Sequence, residues 1–301
     1  MSVPDHVVTT TTRALRTRLA EGPLLVVPGA ANALAARVIE DTGFEAVYVT
    51  GAGIANSFLG VPDIGMVTLT ELAAHVEAIR DAVALPLIVD ADTGFGNALN
   101  VRRTITVLER AGADAVQLED QVSPKKCGHF EGKQIIPAAE MVQKIHAATD
   151  ARTNKDLVII ARTDARAVEG FEAAVDRARL YAEAGADVTF LEAPQTRQEV
   201  LAVPELLTVP QVVNLVEGGR TPQLPLEELA RFRIALFANV ALQASIKGMQ
   251  RALGALRQTG TLAAASDDIA PWTERQRIVR KPAYDALESH YSAGSAEAPA
   301  S

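Results

Sequence analysis

With 301 residues, of which 48% are hydrophobic and 22% charged, the chain can bury a large core as one big domain or two smaller ones, which excludes a disordered or fibrous protein. The net charge of −8 and the lack of any long run of Lys or Arg argue against nucleic-acid binding. Any anionic ligand must therefore be met by a local positive cluster.

Short β-branched apolar runs recur along the chain, each followed by a polar or glycine-rich turn and then a longer segment with helical spacing. The eight predicted strands are Leu24–Val27, Ala46–Val49, Leu87–Val89, Ala115–Leu118, Leu157–Ile160, Val188–Leu191, Val212–Leu215 and Ile234–Phe237. Predicted helices between them include Ala31–Asp41, Leu69–Ala82, Asn100–Ala111, Ala138–Ala151, Gly170–Ala184 and Leu226–Arg231. Alternating units with nearly continuous apolar strands predict a parallel sheet covered by helices, and eight units favour a closed (β/α)8 TIM barrel over an open doubly wound sheet.

The domain prediction is a single barrel domain over residues 1–291, including a C-terminal helical arm. Residues 292–301 are rich in Ala, Ser and Gly and are predicted to be a disordered tail.

The single cysteine cannot form an intramolecular disulfide, and residues 1–20 contain threonines and arginines where a secretory apolar segment would lie. Pro28, Gly29 and Asn32 interrupt the longest apolar candidate, so no run reaches the roughly eighteen residues of a membrane span. These features predict a cytoplasmic protein with no membrane partner.

Side chains with acidic, basic or hydrogen-bonding groups lie at the end of almost every predicted strand. They are Tyr48, Thr50, Asp90, Asp92, Glu119, Arg162, Glu192, Asn214 and Glu217. In a barrel these strand ends converge on one mouth, where active sites of this architecture lie. Any one of them could equally cap a helix or face solvent, but their joint placement predicts one site.

The acidic residues suggest a hard divalent cation. Asp90 and Asp92 come directly after a predicted strand, and Glu119 comes directly after the next one. Gly94 and Gly96 allow the backbone to turn tightly after the two aspartates. Mg²⁺ binds through a few carboxylate oxygens and keeps several waters, so we predict Mg²⁺, with Mn²⁺ as the other candidate. Neither His-x-x-x-His nor Cys-x-x-Cys occurs, which disfavours zinc.

The cysteine lies in a polar loop, Lys125-Lys126-Cys127-Gly128-His129. Neighbouring lysines and a histidine favour the thiolate, so Lys125, Cys127 and His129 are predicted to be catalytic. The alternative is that Cys127 is a small buried hydrophobe.

These groups together indicate a reaction class. A cation held by Asp90 and Asp92 would chelate a 2-hydroxy or 2-oxo carboxylate, while Arg162 would grip the carboxylate with its planar fork. A nearby thiol would give a proton to a carbanion. The residues alone therefore indicate a metal-assisted lyase or a proton-transfer enzyme.

Five segments resemble the isocitrate lyase/phosphoenolpyruvate mutase superfamily over about residues 24–253. They are Asp90–Gly96, Leu118–Gln121, Lys125–His129, Ile160–Asp164 and Asn214–Gly219. In that superfamily the Lys-Lys-Cys-Gly-His loop marks the carbon–carbon lyase branch. The length is closer to 2-methylisocitrate lyases, 2,3-dimethylmalate lyases and oxaloacetate-cleaving members than to isocitrate lyases.

The resemblance implies roles for individual residues. Tyr48 would assist deprotonation of the substrate hydroxyl, Cys127 would protonate the departing carbanion, and Asp90, Asp92 and Glu119 would surround the metal. Glu119 is also predicted to be catalytic. Substrate-binding residues would be Thr50, Gly51, Ala52, Asp63, Gly128, Arg162, Glu192, Asn214 and Gln243. Ala52 departs from the Ser-Gly-Gly that is common in the lyases. The resemblance also implies a homotetramer in which a C-terminal helix, here Thr273–Tyr291, is exchanged between subunits.

Gln243 is a second departure from the pattern of the superfamily. The resemblance implies an arginine at this position, where 2-methylisocitrate lyases hold the distal carboxylate of the succinate half of their substrate. A neutral amide lacks the charge-assisted fork of arginine, which favours a 2-substituted malate or oxaloacetate over a tricarboxylate.

The predicted activity is Mg²⁺-dependent cleavage of a 2-hydroxy or 2-oxo di- or tricarboxylate into an α-keto acid and a second carboxylate. The alternatives are an oxaloacetate decarboxylase or hydrolase, a phosphonopyruvate or carboxyphosphonoenolpyruvate mutase on the same barrel, and a catalytically silent barrel that binds a keto acid.

Overall fold

A computed structural model describes residues 5–128 and 132–293 of the chain. The strands are β1 Leu25–Ala30, β2 Val47–Val49, β3 Leu87–Asp90, β4 Ala115–Glu119, β5 Val158–Thr163, β6 Val188–Leu191, β7 Gln211–Asn214 and β8 Ile234–Phe237. They form a closed barrel in sequence order, with parallel pairing throughout and β1 joined to β8. The predicted (β/α)8 TIM barrel is confirmed.

The helices are α1 Asp5–Glu21, α2 Ala33–Asp41, α3 Gly51–Ile54, α4 Leu69–Ala82, α5 Ala98–Arg110, α6 Ala138–Ala151, α7 Phe171–Glu183, α8 Arg197–Leu206, α9 Val240–Thr259, α10 Trp272–Ile278 and α11 Lys281–Ala293. The predicted helices α4 and α6 have the predicted bounds. Helix α4 begins with a capping box, in which Thr68 and Glu71 satisfy each other's backbone N–H groups.

The predicted helix over residues 226–231 is wrong. This segment is a run of turns in which Leu229 N donates to Leu226 O and Phe232 N donates to Leu229 O. These i to i+3 bonds close tight turns, and the i to i+4 ladder of an α-helix does not form here.

Side chains alternate between the barrel interior and the helix layer, as the two-residue period of a strand requires. In β4, Ala115 packs with the interior cluster, whereas Val116 and Leu118 pack against the helices. In β5, Val158 and Ile160 face inward in the same way. Continuing this alternation places the last inward residue of each strand at the C-terminal mouth of the barrel.

Helix α1 closes the opposite end of the barrel. Leu15 and Leu19 are almost fully buried in the interior cluster. The hydroxyl of Thr12 donates to Asp114 Oδ1 at 2.6 Å, and Arg80 NH1 lies 3.1 Å from Asp114 Oδ2. This helix was not among the predicted elements, and it leaves the C-terminal mouth as the open end.

The chain divides into two compact units, residues 1–242 and 243–301. In the second unit, Arg251 Nε pairs with Asp268 Oδ2 at 3.0 Å. The prediction of one domain over residues 1–291, with an exchanged arm, stays a prediction. Helix α11 continues through residues 292 and 293, which were predicted to belong to the tail, and residues 294–301 lie outside the described residues.

None of the helices in the described part of the chain combines the length and apolarity that a bilayer crossing requires.

Candidate active site

A cavity of about 40 Å³ lies at the C-terminal mouth of the barrel. It brings together predicted site residues from five strand ends and two loops. Those in its lining are Tyr48, Thr50, Ala52, Asp63, Asp90, Lys125, Cys127, Gly128, Arg162, Glu192 and Asn214.

Three more predicted residues, Gly51, Asp92 and Glu119, are neighbours of these lining residues. A Cβ at Gly51 would lie 3.3 Å from both Asp90 Oδ2 and Asp92 Oδ1, so Gly51 packs directly on the two aspartates. Glu119 is buried at the end of β4, where its Oε2 lies 3.4 Å from Arg162 Nε.

The structure leaves the predicted roles of two site residues, Gln243 and His129, untested. Gln243 is an exposed residue of α9 and the first residue of the second unit, so its assigned role stays a prediction. His129 lies outside the described residues.

Arg162 is the centre of a buried charge cluster. Its Nε and NH2 donate to the two carboxylate oxygens of Asp164 at 2.9 and 3.1 Å, while NH1 lies 3.4 Å from Glu192 Oε2. Its guanidinium carbon is 5.3 Å from the centre of the Phe190 ring, which is cation–π contact distance. The parallel register pairs Glu119 with Arg162 across β4 and β5, which explains their proximity.

The cluster strongly favours the charged forms of Arg162 and Asp164. Burial alone would lower the pKa of Arg162, but Asp164, Glu119 and Glu192 outweigh it and raise that pKa well above its usual value. Burial alone would raise the pKa of Asp164, but Arg162 and Lys133 lower it to about 2. Arg162 is thus a permanent cation held in a fixed plane.

Lys125 carries a second buried positive charge into the site. Its Nζ lies 2.5 Å from Asp63 Oδ1 and 2.8 Å from Asp92 Oδ1. Burial would lower the pKa of Lys125, but Asp92, Glu119 and Asp63 raise it well above its usual value. Burial raises the pKa of Asp92 to about 6 against the opposing effect of Lys125.

Tyr48 is linked to Asp90 through Gln117. The phenol donates to Gln117 Oε1 at 3.1 Å, and Gln117 Nε2 donates to Asp90 Oδ1 at 3.3 Å. Burial, followed by the charge of Asp90, raises the pKa of Tyr48 well above its usual value. Tyr48 is therefore a neutral phenol at physiological pH.

The carboxylates fit a hard divalent cation. Asp90 Oδ2 and Asp92 Oδ1 both lie near one point beside Gly51, and within the described residues Glu119 Oε1 is buried without a hydrogen-bond partner. The described residues contain no converging set of three or more His, Cys, Asp or Glu side chains. This arrangement is compatible with Mg²⁺, which is held by one or two carboxylates and retains several waters.

The loop that carries Cys127 is folded over the mouth. Val122 N donates to Gln134 O, and the Gln121 side chain bonds both Lys126 N and Lys126 O. Cys127 is half-buried, and its backbone N–H donates to Asp63 O at 3.2 Å. The loop therefore places the thiol in the same cavity as Arg162.

Several residues of the site were missed in the sequence. Gln117, Lys133, Asp164, Phe190 and Asn239 were assigned no role. Gln117 and Phe190 lie two residues before Glu119 and Glu192, so the strand period is a signal that identifies them. Asn239 contacts Thr50, whose hydroxyl donates to Asn239 Oδ1 at 3.4 Å. No local pattern marks Lys133, because its charged partner, Asp164, is 31 residues away in the sequence.

A closed parallel barrel with an arginine, a cysteine and clustered carboxylates at its C-terminal mouth defines the class of protein: a (β/α)8-barrel enzyme. Residues 15–257 match the family model described as phosphoenolpyruvate phosphomutase. The chain is 42% identical over 286 residues to 2,3-dimethylmalate lyase of Eubacterium barkeri, covering 94% of this chain and 99% of that protein. It is 43% identical over 280 residues to 2-methylisocitrate lyase of Aeropyrum pernix, covering 92% and 90%.

Among solved structures, oxaloacetate acetylhydrolase in complex with 3,3-difluorooxalacetate matches with a TM-score of 0.88 at 33% identity, covering 95% of this chain and 98% of that one. The chain belongs to the phosphoenolpyruvate mutase/isocitrate lyase superfamily. The predicted family is confirmed, and the two relatives named above are lyases of that superfamily.

Proposed function

We propose that the protein cleaves a 2-substituted malate, in a Mg²⁺-dependent reaction, into an α-keto acid and a second carboxylate. The observation that carries this proposal is the shared cavity of Cys127 and Arg162. A proton donor beside a fixed carboxylate receptor is what cleavage of a carbon–carbon bond next to a carboxylate requires.

The cavity wall supports a malate over a tricarboxylate. The cavity lining includes four apolar residues, Phe190, Val216, Leu236 and Ala238. Among the described residues of the lining, the cations are Lys125 and Arg162, and both already face carboxylates. An alkyl substituent matches this wall, whereas a third carboxylate would meet no further cation in the described lining.

Arg162 binds the carboxylate of the keto-acid half. Its Nε and NH2 are held by Asp164, whereas NH1 has only a longer contact, 3.4 Å, with Glu192. NH1 is therefore the nitrogen that turns to the substrate, while Asp164 maintains the plane of the guanidinium.

Cys127 donates the proton that completes the reaction. The 2-hydroxyl proton passes to solvent water, and the C2–C3 bond breaks with its electron pair going to C3, which leaves a keto acid and a carbanion at C3. The thiol proton moves to C3, and the thiolate that remains lies near the Lys125 and Arg162 charges. Reprotonation from solvent restores the thiol.

Tyr48 holds the substrate hydroxyl by a hydrogen bond. Its single O–H already donates to Gln117 Oε1, so the phenol oxygen accepts this bond from the substrate hydroxyl, and the base role assigned from the sequence stays a prediction. Its bond to Gln117 orients the ring toward the cavity.

Asp90 and Asp92, with Glu119 behind them, would hold Mg²⁺. When bound, the cation would neutralise negative charge on the 2-oxygen and carboxylate of the substrate.

Purified protein with Mg²⁺ should be offered 2-methylisocitrate, isocitrate, 2,3-dimethylmalate, 2-alkylmalates, oxaloacetate and phosphonopyruvate, with products identified by mass. We expect keto-acid release from a substituted malate and little from the tricarboxylates. Efficient tricarboxylate cleavage would contradict the substrate class. Turnover of oxaloacetate or phosphonopyruvate alone would contradict the lyase proposal and establish the corresponding alternative.

We also propose that the protein is a cytoplasmic homotetramer that exchanges its C-terminal helices. Large apolar side chains of the second unit support an assembly: Met249, Leu253, Trp272, Leu287 and Tyr291 are each more than 40% exposed. Light scattering on the full chain tests the tetramer, and a monomer at micromolar concentration would contradict it.

A further inference from the structure

Lys133 is a buried lysine that contacts both the cysteine loop and the arginine cluster. Its Nζ donates to Gly128 O at 2.5 Å and to Asp164 Oδ1 at 2.7 Å. Its side chain is 2% exposed, and that of Asp164 is fully buried. A charged group buried to this extent persists because both contacts are made.

Asp164 is anchored from the barrel side. Its backbone N–H donates to Asp120 Oδ1 at 2.9 Å. Asp120 is itself held by the hydroxyls of Thr163 and Tyr181, at 2.7 and 2.8 Å from its Oδ2. The carboxylate of Asp164 therefore has a fixed position, from which it sets the plane of Arg162 on one side and receives Lys133 on the other.

The carbonyl that Lys133 holds belongs to the residue next to the thiol. Gly128 follows Cys127 and packs against the arginine cluster so closely that a Cβ there would lie 2.5 Å from Arg162 NH2 and 2.9 Å from Glu192 Cδ. Small shifts of this backbone would displace the thiol and the guanidinium relative to each other.

We infer that Lys133 is a positioning residue that fixes the Cys127–Gly128 backbone at a set distance from Arg162, by bonding Gly128 O and Asp164 together. It lies outside the cavity lining and acts through these two partners. The inference deepens the proposed function and rests on it, because it takes Cys127 and Arg162 to act on one substrate.

The test combines turnover with a readout that needs no substrate. Cys127 is the only cysteine of the chain, so its alkylation rate by iodoacetamide reports how the loop holds the thiol. Lys133→Met keeps the length of the side chain and removes its donors. We expect alkylation to become about tenfold faster and kcat to fall about tenfold, the scale of one lost charged hydrogen bond.

The matched control is Lys126→Met. Lys126 is an exposed lysine of the same loop whose Nζ donates to Gly132 O at 2.9 Å. Lys126→Met makes the same charge change beside the thiol, which lowers the thiolate fraction, so its alkylation should be no faster than in the parent protein and its kcat should stay within about twofold. Lys133→Arg, which retains donors, should bring both the alkylation rate and kcat part of the way back to the parent values, and Lys133→Gln replaces Lys133→Met if the latter does not fold.

A lower Tm in Lys133→Met with parental alkylation rate and kcat would reduce Lys133 to a structural residue and overturn the inference. Equal effects of Lys126→Met and Lys133→Met would overturn it too, because general loosening of the loop would explain both. If the parent protein cleaves no malate, the proposed function fails, while the alkylation rates of the variants still decide whether Lys133 positions the loop.

Discussion

The ammonium of Lys125 lies 2.8 Å from Oδ1 of Asp92, so a loop residue after β4 pairs with a carboxylate that follows β3. Both side chains are largely buried, at 5% and 11% exposure. A buried pair of this kind is costly to break because either partner left alone retains an uncompensated charge. The pair therefore ties the cysteine loop to the proposed cation site.

Gly51→Ala should weaken activation by Mg²⁺. The new Cβ would lie 3.3 Å from Asp90 Oδ2 and Asp92 Oδ1, which is tighter than ordinary contact, and would push the carboxylates apart or obstruct the cation. We expect the Mg²⁺ concentration for half-maximal activity to rise about tenfold or more. Titration of EDTA-treated protein with Mg²⁺ measures it.

Gly248→Ala is the control for this substitution, because a Cβ at Gly248 meets open space on α9. An unchanged Mg²⁺ requirement in Gly51→Ala would show that Asp90 and Asp92 do not hold the cation beside Gly51.

Cys127→Ser should lower kcat by about a hundredfold or more, because a hydroxyl is a far weaker acid than a thiol for proton donation to carbon. Binding of oxalate in the presence of Mg²⁺, measured by calorimetry, should remain near the parent value, since the arginine and carboxylates are untouched. Parental turnover in this variant would remove Cys127 from the mechanism.

Arg162→Lys should raise KM for the substrate at least tenfold, because an ammonium lacks the planar fork that Asp164 holds in place. The charge is kept, so the variant separates geometry from charge. Steady-state kinetics and a melting curve are both needed, since Glu119 and Glu192 also face this group. A parental KM would show that Arg162 does not bind the substrate carboxylate.

Asp164→Asn should change how stability depends on pH. The pKa of Asp164 is about 2 in the folded protein, against about 3.9 for an unperturbed aspartate. The unfolded chain thus takes up this proton first as pH falls, so the stabilisation is complete above about pH 5 and declines from about pH 4 toward pH 2. Urea unfolding of both proteins between these limits measures it.

The stability difference between the parent and Asp164→Asn should shrink over that acid range. Parallel curves for the two proteins would show that the Arg162 and Lys133 pairs do not depress the pKa of Asp164.

Much of the barrel was predictable because its information is local. Apolar runs with polar ends mark the strands, and the predicted bounds of β6 and β8 agree with the structure. Helix α1 escaped prediction since its threonines and arginines hide the two buried leucines that close the barrel. The helix predicted at residues 226–231 failed because six residues form tight turns as readily as a helical turn.

The site was predictable where a reactive or metal-binding residue type stands at a strand end or in a short polar motif, as do Asp90, Asp92 and Cys127. No motif marks Gln117 or Asp164, because Gln117 matters through its bond to Tyr48 on another strand and Asp164 matters through its bonds to Arg162, two residues before it. Lys133 gains its role from Asp164, 31 residues further along the chain.

By itself, the sequence determined the (β/α)8 class, the residue types at the strand ends and the reactive loop, because these follow from local period and composition. Only the tertiary structure decided which charges pair: Lys125 with Asp63 and Asp92, Arg162 with Asp164, and Lys133 with both the loop and the cluster. The physical reason is that charge pairing and burial depend on distances between strands and loops, which closure of the barrel sets.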